Sequence, residues 1–151
     1  MWRARWGAGL IISIADPELR GKTQGRLAGW KGKVCALDIH DIERAAPGMV
    51  MAQAAHIEAA VEAARRMRVR DALVVHCHAG VSRSAAVALL ASAARLQAAG
   101  HSDAAAVEGA FARVLAHAPH VRPNMGILAL GVPLLGLEGT DMVERAWARH
   151  A

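Results

Sequence analysis

The run His76-Cys77-His78-Ala79-Gly80-Val81-Ser82-Arg83-Ser84 brings a thiol, a guanidinium and a hydroxyl together at a spacing that suits one reaction. An apolar stretch, Ala72 to Cys77, precedes the run, and an uncharged stretch from Ser84 to Ala94 follows it. A strand, a loop and a helix in that order aim successive backbone N–H groups and the positive helix end into one small bowl. Such a bowl, built from His78, Ala79, Gly80, Val81 and Ser82, suits a dianionic phosphate and also stabilises a thiolate at its base. Cys77 is the first loop residue, where helix end and positive charge lower its pKa and make it a nucleophile. Arg83 can grip two phosphate oxygens at once. Gly80 supplies a backbone angle that other residues resist. Ser84 can donate a hydrogen bond to the sulfur and ease its departure from a phosphorylated intermediate.

The rest of the chain must hold that loop. Leu10 to Ala15 is a short β-branched run stopped by Asp16-Pro17, which predicts a strand and a break. Residues 16 to 33 read as loop with one turn of helix. Val34 to Ile39 is a second strand, and His40-Asp41-Ile42-Glu43 opens a loop running through Pro47-Gly48. Ile57, Val61, Ala64 and Met67 share one face of a helix from Gln53 to Met67, with Glu62 and Arg66 four apart on the other. Ala72 to Cys77 is the third strand, apolar throughout as in a covered parallel sheet. The uncharged helix after Arg83 is expected to be buried on all sides. Gly100 ends it, and Ser102-Asp103 starts a helix that buries Val107, Ala110, Phe111, Val114 and Leu115. A further helix spans Asn124 to Leu135, interrupted by Gly131 and Pro133, and Thr140 caps a last one to about Arg149. Strands alternating with helices predict a three-layer α/β/α domain with a mainly parallel sheet of about four strands.

The signature His-Cys-x5-Arg-Ser resembles that of the protein tyrosine phosphatase superfamily, and most closely its small bacterial dual-specificity-like members. The resemblance extends to His40-Asp41-Ile42, placed where that family carries its general-acid loop, and to Arg122-Pro123-Asn124, which resembles its Pro-Asn helix start. It covers roughly residues 10 to 148. It implies the cysteine phosphatase fold in one domain over residues 1–151, and metal-independent hydrolysis of phosphomonoesters through a phosphocysteine. In that scheme Cys77 attacks phosphorus, Arg83 stabilises the transferring group and Ser84 serves the sulfur. Asp41 or Asp38 protonates the leaving oxygen; Asp41 is preferred because it begins a loop, whereas Asp38 belongs to the strand. His76, Asn124 and Asp38 are supporting residues. The chain departs from the family in three ways: it has no Trp-Pro-Asp acid loop, no tyrosine, and no lysine in the bowl. A strand before residue 10, usual in such domains, is also missing from the pattern.

Other chemistries compete for the same residues. His76 and His78 could be two legs of a metal site with Asp38, Asp41 or His40, but no third ligand is set by spacing, so no metal or cofactor is expected. The ordinary roles are His76 bracing the loop and His78 at the pocket rim. Cys35, expected on a strand next to that of Cys77, is read as packing; the sharper alternative is a reversible disulfide with oxidised Cys77. An inactive module that binds phosphorylated partners is the alternative to an enzyme.

The chain has 151 residues, 54% of them apolar and 21% charged, enough for one domain with a real core. A net charge of +5 suits a phosphorylated protein or a small phosphoester as substrate. The basic residues (Arg3, Arg5 and Lys22 among them) are scattered and not interleaved with aromatics, so no nucleic acid is expected as partner. Two cysteines cannot make a secreted disulfide framework. The basic start ahead of Gly7 to Ile14 has the shape of a short signal peptide, with Ser13-Ile14-Ala15 as cleavage site. Its apolar stretch is at the short limit, so a buried strand and a cytoplasmic protein are expected. No apolar run is long enough to span a membrane.

Overall fold

Branched side chains at Ile11, Ile12 and Ile14 favour extended backbone, and in the computed structural model Leu10–Ala15 is strand β1, buried at every position. The structure describes residues 9–68 and 70–151, so Arg3, Arg5 and the first residues of the signal-like start lie outside it. Strands β2 (Lys33–Asp38) and β3 (Leu73–His76) flank β1, both parallel to it, in the order β2-β1-β3. Ser13 stands opposite Ala36 on one side and His76 on the other. The period of two sends Leu10, Ile12 and Ile14 into the main core and turns Ile11, Ser13 and Ala15 to the opposite face. The sheet has three strands among the described residues, one fewer than expected.

The fold is α/β, with six α-helices among the described residues around this small open sheet. Residues 16–33 hold more helix than the sequence pattern suggests: a 3₁₀ turn at Pro17–Leu19 runs into α1 (Arg20–Arg26). Gly21 and Gly25 weaken that helix locally. Tertiary anchoring overrides them, because Arg20 reaches Ser13 Oγ, the Ser13 and Leu37 carbonyls and the Asp38 carboxylate. These contacts set α1 against the sheet face that bears Ser13.

The main core lies on the other face. Helix α2 (Ala54–Arg65) buries Ile57, Ala60, Val61 and Ala64, and Glu62 pairs with Arg65 on the outer face. Helix α3 (Arg83–Ala98) is buried on nearly all sides, as its uncharged sequence requires, between α2, α4 (Asp103–His117), α5 (Met125–Leu134) and β3. Gly100, at φ +94°, ends it, and Ser102 Oγ accepts from the Ala105 N–H to start α4. Helix α5 runs unbroken through Gly131 and Pro133; a Cβ on Gly131 would stand 2.2 Å from Leu90, so the glycine admits close packing rather than ending the helix. Helix α6 (Met142–Ala148) begins after Asp141, and Thr140 caps its first turn: the hydroxyl donates to the Leu137 carbonyl and accepts from the Met142 N–H at 3.4 Å. No described helix is long and apolar enough to cross a membrane.

Candidate active site

Because all three strands run parallel, their carboxyl ends share one sheet edge, the place where open α/β sheets bind ligands. Asp16 follows β1, Ile39 to Asp41 follow β2, and Cys77 follows β3. Three segments far apart in sequence therefore meet by topology alone.

The loop after β3 turns at Gly80, whose φ of +70° is a left-handed angle that a Cβ resists. It then enters α3 at Arg83. Behind it, the Arg122 N–H donates to the Val81 carbonyl and the Asn124 N–H to the Ser82 carbonyl, so the segment before α5 braces the loop. Cys77 Sγ lies 3.1 Å from Ser84 Oγ, the thiol donating to the hydroxyl. Once the thiol ionises, the hydroxyl can turn and donate to the sulfur. Burial pushes the Cys77 thiol up, but the Ser84 hydroxyl, the backbone at Ser84 and Gly80, and the Arg83 charge outweigh it and hold it below the ordinary thiol value. Cys35 is the contrast: burial alone pushes its pKa up, which keeps it an inert thiol.

Arg83 is 5% exposed. Its Nη1 donates to Asp16 Oδ1 at 2.6 Å and to the Ile39 carbonyl at 2.7 Å. Both protons on that nitrogen are thus engaged, while Nε is buried with no hydrogen-bond partner in the protein. Nε and Nη2 form the guanidinium edge that binds an oxyanion bidentately. A buried orphan donor is costly and rare, and here it belongs to the loop that carries the low-pKa thiol.

Asp41 reaches this loop. Its Oδ1 accepts from the Ser82 hydroxyl at 2.8 Å and from Asn124 Nδ2 at 3.0 Å. Asn124, 2% exposed, also donates to the Ile42 carbonyl and accepts from the Ile127 N–H, so one side chain both caps α5 and pins the 41–42 loop. Asp38 does not join them: it is on β2, turned toward α1 and paired with Arg20. His40 is buried, its Nε2 donating to the Glu18 carboxylate and its Nδ1 accepting from the Val50 N–H.

His76 has a backbone hydrogen bond at Cys77, and its Nε2 is buried without a partner. Burial, with smaller contributions from Arg20 and Arg26, lowers its pKa and keeps it neutral. His78 and Ala79 are exposed, and His78 lines a cavity of about 280 Å³ beside Cys77 and Asp16. Among the described residues no three His, Cys, Asp or Glu side chains converge as metal ligands, so His76 and His78 acquire no third leg there.

The redox pairing fails on geometry. Strand β1 stands between the strands of the two cysteines, and Cys35 is opposite Ile12 while His76 is opposite Ser13. Two strand spacings separate the cysteines by roughly 10 Å, beyond disulfide reach. Asp16, Glu18 and Glu43, whose Oε1 accepts from the Met125 N–H, carry no motif or spacing that marks them for the site. Only Asp16-Pro17 holds a sequence signal, and it is that of a strand stop. No family model, curated protein or solved structure matches this chain significantly.

Proposed function

We propose that this chain is a metal-independent phosphomonoester hydrolase acting through a phosphocysteine, with the cysteine phosphatase fold and a phosphorylated protein or small phosphoester as substrate. The observation that carries the reading is Cys77, held below the ordinary thiol value, on the same loop as a buried Arg83 whose Nε edge has no protein partner. Arg83 then takes two phosphate oxygens through Nε and Nη2, and loop N–H groups take the others. The Cys77 thiolate attacks phosphorus, forming S–P as the P–O bond to the leaving group breaks. Asp41 gives its proton to that oxygen, then takes one from the water that cleaves S–P, while the Ser84 hydroxyl stabilises the departing thiolate. The sequence resemblance to small dual-specificity-like phosphatases points the same way, with cytoplasmic action expected.

Hydrolysis of p-nitrophenyl phosphate in excess chelator, compared between wild type and Cys77→Ser, tests this. Turnover that survives chelation and is lost in Cys77→Ser is the expected result. A folded wild type that binds phosphate or vanadate without turnover would instead make the chain a phosphate-recognition module.

A further inference from the structure

We infer that Asp16 is a positioning residue for Arg83, turning the guanidinium so that its Nε–Nη2 edge meets the phosphate. The inference rests on the phosphate-binding reading of the loop and adds a residue that neither the motif nor its spacing indicates.

Arg83 opens a helix and has several rotatable bonds, so its head needs a fixed point if it is to be pre-organised. Two acceptors supply it, both from outside the loop. Asp16, 67 residues away in sequence, stands at the end of β1 with its side chain 27% exposed; the Ile39 carbonyl stands at the end of β2. Both engage Nη1, the nitrogen outside the Nε–Nη2 edge, and Nε is left without a protein partner. Asp16 therefore holds the group without occupying the edge that binds an oxyanion. Pro17 and the 3₁₀ turn after it restrict the backbone beside Asp16, and Glu18 on the same turn holds His40, the neighbour of Asp41. One short turn thus holds both the arginine and the acid loop.

Charge and position predict opposite signs. Removing a carboxylate from beside Arg83 leaves more net positive charge for a phosphate and would tighten binding. Removing the anchor lets the guanidinium turn away and would weaken it; a misplacement near 1 Å can cost on the order of 10²-fold.

The experiment measures vanadate inhibition and p-nitrophenyl phosphate kinetics for Asp16→Ala and Asp16→Asn, each alone and combined with Arg83→Lys. Inorganic phosphate binding to the same Asp16 variants in Cys77→Ser protein is followed by calorimetry. Asp16→Ala is expected to weaken vanadate and phosphate binding about tenfold or more. Asp16→Asn, which keeps an acceptor without the charge and serves if the alanine variant fails to fold, should recover part of the loss. Neither change should add to Arg83→Lys, because Asp16 acts through that arginine. Unchanged or tighter oxyanion binding, or a full loss persisting in the Arg83→Lys background, would overturn the inference. Phosphate binding without turnover in wild type removes the hydrolase reading and leaves the Asp16 effect readable by calorimetry; no phosphate binding at all removes both.

Discussion

Asn124 Nδ2 lies 3.0 Å from Asp41 Oδ1 across 83 residues of chain, while the same side chain caps α5 through its Oδ1. Helix stability and acid-loop position therefore share one buried residue, and they can be separated. Asn124→Ser should retain the cap and most of the stability but release Asp41. Asn124→Ala should lose both, with the cap worth about 1 kcal/mol, or about 2–4 °C in Tm for a domain of this size. Melting curves beside kinetics on a poor leaving group measure the two effects; equal kinetics in all three proteins would remove Asn124 from the acid loop's support.

The general acid is tested by leaving-group dependence. Asp41→Ala should slow alkyl or phenyl phosphates by about 10²–10⁴-fold and p-nitrophenyl phosphate far less, since a good leaving group needs no proton. Asp38→Ala should show no such dependence and should lower Tm instead, because Arg20, with its side chain 12% exposed, would lose its carboxylate partner. The reverse pattern would assign the proton to Asp38.

Cys77 should react as a thiolate below the ordinary range. Its pKa is depressed, so the thiolate fraction rises at lower pH than for an ordinary thiol. The iodoacetamide inactivation rate against pH should therefore have its midpoint below that of a free thiol measured alongside. In Ser84→Ala one of the groups that lowers the pKa is gone while burial still raises it, so the midpoint should move up. A midpoint that stays put would mean the Ser84 hydroxyl does not stabilise the anion.

Gly80→Ala tests the loop's shape without crowding it. A Cβ there meets nothing within 4 Å, so the only cost is the φ of +70°. About 1–2 kcal/mol of destabilisation is expected, with weaker vanadate binding as the loop relaxes. A variant as stable and as tight as wild type would show that the bowl tolerates another backbone path.

The local pieces of the site are legible in the sequence. Cys77, Gly80, Arg83 and Ser84 are close along the chain, so a strand ahead of them and a helix after them largely determine their geometry. Leu10–Ala15 is equally plain, because branched residues ended by Asp-Pro leave few alternatives. Helix α1 is not, since Gly21 and Gly25 argue against a helix that Arg20 anchors to the sheet. Strand order is also beyond the pattern: parallel strands need only crossovers, and nothing in Cys35 or its neighbours says that β1 lies between them and Cys77. The same holds for Asp16, whose carboxylate beside a proline reads as a turn until the sheet brings it to Arg83. Sequence alone determined which groups could do chemistry and the local backbone that presents them, because those forces act within a few residues. Only the tertiary structure decided which distant carboxylate holds Arg83 and which reaches the loop, because strand order and helix packing set those distances.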